Sequence, residues 1–190
     1  VEMVSTNIME YSNDVLNSFG DYFRYSRFLS IIDDTHHSIS NNVTTVSVSI
    51  SHEIHESKIS YVSKFSNRIK RGTITSTKFK LIGDDREYLF SDDKVGKLVA
   101  YTHDGEGNRY DNPFVISDID YDTGIVTIRD IILQKEEDAT DITITCVLES
   151  PDIYARENQI LYIDVITLNV RAKSNEIYTL DNSVHSVKIL

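Results

Sequence analysis

The sequence predicts an α+β protein that is mostly β: an N-terminal amphipathic helix followed by antiparallel β-rich domains. Three observations predict it. Apolar residues recur at helical spacing through the first 32 residues. Beyond them, short stretches alternate apolar and polar residues with a period of two. Between two such stretches stands Asp122-Thr123-Gly124, a hairpin connector whose glycine can take a positive φ.

The helix is read from Ile8, Tyr11, Val15, Phe19, Tyr22 and Leu29, which share one face at steps of three, four or seven. Gly20 marks a kink or break, because glycine costs about 1 kcal/mol in a helix interior. The end of the helix is aromatic and contains Tyr22, Phe23 and Phe28. Its apolar face fits either its own domain or a partner chain, and the sequence leaves both open. Turn-forming residues 33–38 end it.

Strand signals follow. Val46, Val48 and Ile50 alternate with serines, and Ile59, Tyr61, Ser63 and Phe65 with Ser60, Val62 and Lys64. Further strands are expected at 73–82, 114–121, 125–129, 142–148, 159–172 and 183–190, with a polar loop at 135–140. The Asp-, Gly- and Asn-rich stretch 93–112 reads as a long loop or a subdomain seam. The expected division is a helical segment 1–32, a β-rich region 33–93 and an acidic β-rich region 94–190. The last two are separate domains or one continuous domain.

A hydrophobic fraction of 40% in 190 residues is enough for a sizeable core. The net charge of −11 disfavours sequence-independent nucleic-acid binding, since phosphate would meet a repulsive field. The charge is uneven: residues 1–95 carry 11 Lys+Arg and 13 Asp+Glu, residues 96–190 carry 8 and 17. Cys146 is the only cysteine and lies in an apolar run, so it is expected to be buried and no internal disulfide can form. No apolar run reaches the length of a membrane-spanning helix, no signal-peptide pattern is present, and no membrane partner is expected. The first residue is Val1 rather than Met, which suggests a piece of a longer chain.

Motifs for chemistry are weak. His52 and His55 in His-Glu-Ile-His-Glu are three apart, not four, and a strand points them to opposite faces. Adjacent His36 and His37 diverge likewise. Asp118 to Gly124 resembles the start of a calcium loop, but glycine falls at position seven and Arg129 at position twelve. The same residues fit a hairpin with its acids toward solvent. Asp104-Gly105-Glu106-Gly107-Asn108 reads as a surface loop. There is no nucleophile elbow, phosphate loop or dinucleotide fingerprint. No catalytic residue, metal or cofactor is therefore expected. One charge feature stands out: Lys58, Lys64, Arg68, Lys70, Arg71, Lys78 and Lys80 occur between Ser57 and Gly83 with no acid among them. That block is either a solvated strand face or an interface for an acidic neighbour.

Several motifs come together between residues 22 and 69. They are Phe23-Arg24-Tyr25-Ser26-Arg27-Phe28, Ile31-Ile32-Asp33-Asp34, Ser38-Ile39-Ser40-Asn41-Asn42-Val43-Thr44, and Phe65-Ser66-Asn67-Arg68-Ile69. In this order they resemble the baseplate wedge protein of T-even-type contractile-tailed phages, related to the J-like baseplate proteins. In that family an Ile-Asp-x-x-x-x-Ser-Ile-x-x-Asn-x-Thr segment leads from helix into β-rich domains. The sequence departs from it at His37, where many relatives are expected to carry proline. The resemblance implies a structural late protein of the virion, made in the host cytoplasm and located in the tail baseplate. It implies association with itself, as a homodimer or through ring contacts, and with other wedge proteins around a central hub. The expected contact residues are Tyr22, Phe23 and Phe28 of the helix and Lys64, Arg68, Lys70 and Arg71 of the basic block. Two other classes compete: a carbohydrate- or receptor-binding β module, favoured by 11 Tyr but not by the absence of Trp, and a tail-associated hydrolase.

Overall fold

The computed structural model describes residues 1–17, 22–113, 115–155 and 159–172, and the backbone of 185–189. In chain order the elements are α1 (Glu2–Tyr11), a π-helical turn (Ser12–Leu16), β1 (Tyr22–Phe23), α2 (Tyr25–Asp33), β2 (Thr44–Glu53), β3 (Ile59–Lys64), β4 (Thr75–Ser76), β5 (Phe79–Leu81), β6 (Asp84–Asp92), β7 (Leu98–His103), β8 (Arg109–Asn112), β9 (Ile116–Asp120), β10 (Ile125–Ile131), β11 (Leu133–Gln134), β12 (Asp141–Cys146), β13 (Ile153–Tyr154) and β14 (His185–Ile189). The fold is mostly antiparallel β with a helical N-terminus. By contact the chain divides into two compact units. Unit 1 is 1–47 with 150–190, and unit 2 is 48–149.

In unit 1 the expected single helix over 1–32 is two helices with a strand between them. Phe23 pairs with Ile153 and Tyr22 with Tyr154, so backbone bonds to a distant segment replace helical ones there. Phe19, Gly20 and Asp21 lie outside the described residues. Of the expected apolar face only Ile8 and Tyr11 are buried; Val15, Tyr22 and Leu29 are half-buried, because the break between the helices turns a different set inward. Ile8, Tyr11, Leu16, Phe23, Phe28 and Ile32 are buried, and Ile153, Leu161 and Ile163 from the C-terminal part join them. Phe28 sits 5.1 Å from Phe23 and 5.8 Å from Tyr11, centroid to centroid. The amide of Ile163 donates to Ser12 Oγ at 2.8 Å. The expected strand 159–172 is not formed among the described residues. The Asp164 carboxylate accepts from the Ile166 amide and the Thr167 hydroxyl, which bends the chain into a turn instead. At the C-terminus 185–189 is a strand, and the rest of the expected 183–190 lies outside the described residues.

Unit 2 contains a sheet ordered β11-β5-β6-β4-β12-β2, with β7 on β6 and β8 on β7, and a second sheet ordered β3-β10-β9. The serine alternation of β2 has a direct use. Ser49 and Ser51 pair their hydroxyls with Thr145 and Thr143 of β12, each at 2.7 Å, and the opposite face buries Val48. On β3 the alternation buries Tyr61 and Ser63. Strand 73–82 is broken into β4 and β5, because Thr77 turns to bond Thr143 through both its amide and its hydroxyl. The stretch 93–112 is neither long loop nor seam but the turn, β7 and β8 of a meander. The 114–121 strand begins at Ile116, and Phe114 lies outside the described residues. Cys146 is buried, and burial pushes its thiol pKa far above the ordinary value.

Candidate assembly surface

The motif segment of unit 1 has a hydrogen-bonded rationale. Asn42 Nδ2 donates to Asp33 Oδ1 at 2.6 Å, and Thr44 Oγ1 donates to Asn42 Oδ1 at 3.0 Å. The Tyr25 hydroxyl then donates to the Thr44 carbonyl at 2.7 Å. Asp33, Asn42, Thr44 and Tyr25 thus form one chain that ties the end of α2 to the start of β2. At the other end of α2, the Tyr25 amide donates to Asp152 Oδ1 at 2.9 Å, so a carboxylate satisfies a helix N-terminal donor. His36 Nδ1 meets Ser38 Oγ at 2.7 Å in the turn between them.

The expected contact residues separate into three kinds. Phe23 and Phe28 are fully buried in unit 1, so meeting a partner would require opening that core. Tyr22 is half-buried and stacks on Tyr154 at 5.6 Å. Lys64, Arg68, Lys70 and Arg71 are exposed on unit 2. The basic block, however, is not an open cationic face. Lys58, Arg68, Lys78 and Lys80 pair with Asp130, Asp122, Glu87 and Glu136. Arg71 donates to the Lys94 carbonyl at 2.7 Å and lies over the Tyr121 ring at 4.2 Å. Acids remote in sequence fold onto the block and offset its local charge.

Aspartates of the hairpins, including those weighed as ion ligands, have partners within unit 2. Asp118 pairs with Lys97 and Arg129. Asp120 accepts the amides of Asp122 and Thr123, each at 3.1 Å. Asp104 accepts those of Glu106 and Asn108 at 2.9 and 2.8 Å, and Asp93 those of Val95, Gly96 and Lys97 at 2.8–2.9 Å. His52 Nε2 bonds Ser63 Oγ at 2.7 Å, within unit 2. Among the described residues no three His, Cys, Asp or Glu are grouped as a metal site requires.

These bonds set a pH response. The Asn108 side chain and backbone amide hold Asp104 at about 2. The Thr123 side chain and amide lower Asp120, and for Asp93 desolvation is outweighed by the turn amides. Unfolded aspartates take up protons near pH 3.9, before the folded ones do, so this stability is full above pH about 4 and is lost as pH falls toward 2. Burial lowers His52, so the unfolded state binds its proton first, and stability also declines as pH falls below about 6.5. Urea midpoints are therefore expected to fall in two stages on acidification, one below pH about 6.5 and one below about 4. His52→Gln should remove the first stage alone. A midpoint constant from pH 7 to 3 would contradict both assignments.

In a comparison with known families, residues 2–53 match the model described as baseplate structural protein gp6, C-terminal domain III. The matched stretch contains α1, α2, the Asp33–Asn42–Thr44–Tyr25 chain and β2, while residues 54–190 lie outside it. It supports a structural role in a phage baseplate. No curated protein matches the chain.

Proposed function

We propose that the chain is part of a baseplate wedge protein of a contractile-tailed phage, which associates with a second copy of itself and with other wedge proteins to build the ring around the hub. The observation that carries this reading is the family match over residues 2–53, which takes in most of the motif segment on which the resemblance rests. The hydrogen-bonded chain through Asp33, Asn42, Thr44 and Tyr25 supports it by giving the Asp, Asn and Thr of that motif a structural use. The role is mechanical: it needs surfaces that hold neighbours, not a reacting group. Tyr22 on unit 1 and Lys64, Arg68, Lys70 and Arg71 on unit 2 remain the proposed contacts from the sequence, while Phe23 and Phe28 lie buried within unit 1.

Light scattering on a sizing column over a range of concentrations tests self-association. The expected result is a stable species at twice the 21.7 kDa chain mass. A monomer at every concentration would overturn the self-pairing and leave contacts with other wedge proteins to be tested by co-purification.

A further inference from the structure

Arg24 and Arg27 differ from the other described arginines, of which Arg71 donates to the Lys94 carbonyl and Arg171 to the Asn169 side chain. Arg68, Arg86, Arg109 and Arg129 each pair with a carboxylate. Arg24 and Arg27 are exposed and have no carboxylate partner among the described residues, although the chain has 30 Asp+Glu against 19 Lys+Arg. The nearby Asp152 carboxylate is engaged by the Tyr25 amide.

Both guanidinium groups are nonetheless held in place. Arg24 lies over the Tyr22 ring at 4.6 Å, and Arg27 over the Tyr11 ring at 5.9 Å. Tyr22 in turn stacks on Tyr154, with 17° between the ring planes. The β1–β13 register that pairs Tyr22 with Tyr154 fixes this three-layer stack. Tyr154 ends it and is 57% exposed. A guanidinium over a ring is attracted to the ring face without using up its N–H donors, which stay available for a planar acceptor. Placing it beforehand reduces the ordering cost on binding. Tyrosine and arginine are also the residue types that dominate interface energetics.

We propose that Arg24, Arg27, Tyr22 and Tyr154 form a docking surface on unit 1 for a carboxylate-bearing surface of a neighbouring protein. Asp or Glu side chains of the partner engage the two guanidinium edges, and a flat side chain covers Tyr154. The proposal rests on the assembly reading above and names the chemistry of one contact within it.

The test uses the full chain and the acetylated, amidated tetrapeptide Glu-Glu-Tyr-Glu as probe. Arginine Nε–Hε signals are followed by NMR during titration. The Arg24 and Arg27 signals are expected to move saturably, those of Arg109 and Arg129 far less, and raised salt should weaken the effect. The double variant Arg24→Lys, Arg27→Lys keeps the charge and loses the fork, and should bind the peptide at least several-fold more weakly. Equal movement of all arginines, or unchanged binding by the lysine variant, overturns the site. A chain that dimerises on the sizing column but fails here keeps the assembly reading and loses this surface. A monomer that binds the peptide saturably keeps the surface and loses self-pairing.

Discussion

Asp92→Ala is expected to lower the stability of unit 2 by roughly 3–4 kcal/mol, because one carboxylate serves three donors and hydrogen bonds to a charged acceptor contribute more than neutral ones. Oδ2 accepts the Gly72 amide at 2.6 Å and the Tyr121 hydroxyl at 2.7 Å, and Oδ1 accepts the Ile74 amide at 3.2 Å. These donors come from the segment leading into β4 and from the β9–β10 turn, so Asp92 joins the end of β6 to two other parts of the unit. Burial and the Asp92 bond together push the Tyr121 hydroxyl well above its usual pKa. Arg71 lies over the Tyr121 ring at 4.2 Å. Alanine would leave two amides and a largely buried hydroxyl without their acceptor. Asparagine keeps an acceptor oxygen and should recover about half of the loss. The measurement is urea unfolding followed by the rate at which the buried Cys146 thiol becomes reactive, which reports on unit 2. A loss below about 1 kcal/mol for alanine would mean that water replaces the carboxylate without penalty.

The same cluster shows what a sequence conceals. Strands β2, β3, β9, β10 and β12 were legible because their alternation is local and each carries its own turn signals. β7 has the same period, burying Leu98, Ala100 and Thr102. It was hidden by the acidic, glycine-rich turns on either side, which are the tips of its own hairpins. β1 and β13 are two residues each and separated by about 130 positions, so neither carries a local signal. Without that pairing Tyr154 cannot be placed beside Tyr22, and the aromatic stack beneath Arg24 is invisible. The aromatic run 22–28 signalled packing but not its target: Phe23 and Phe28 turned inward, while Tyr22 stayed at the surface. Charge was legible only in part, for a similar reason. A cationic run in sequence says nothing of the acids that fold brings to it, and here Asp122, Asp130, Glu87 and Glu136 arrive from elsewhere. By contrast the Asp33-to-Thr44 motif is local, so its residues were found before the hydrogen bonds that explain them.

Gly124→Ala should be the more damaging of two superficially equal glycine changes. Gly124 and Gly83 both close hairpins with positive φ, +70° and +80°. An alanine at either position pays for the left-handed conformation, roughly 1–2 kcal/mol. At Gly83 a Cβ would meet nothing within 4 Å. At Gly124 it would lie 2.1 Å from the Asn67 carbonyl oxygen and 3.1 Å from its carbon. That neighbour is backbone, fixed on either side by the Phe65 amide on the Gly124 carbonyl at 2.8 Å and the Ile69 amide on the Tyr121 carbonyl at 2.9 Å. It cannot rotate away as a side chain would, so relief requires displacing the 65–69 segment and loosening both bonds. Gly124→Ala is therefore expected to cost roughly 3–5 kcal/mol, against about 1–2 for Gly83→Ala. Paired urea melts of the two variants separate the contributions, since Gly83 carries the conformational strain and Gly124 carries strain plus contact. Equal losses would show that the hairpin tip moves off Asn67 freely, and that the close approach of these two loops does not hold unit 2 together.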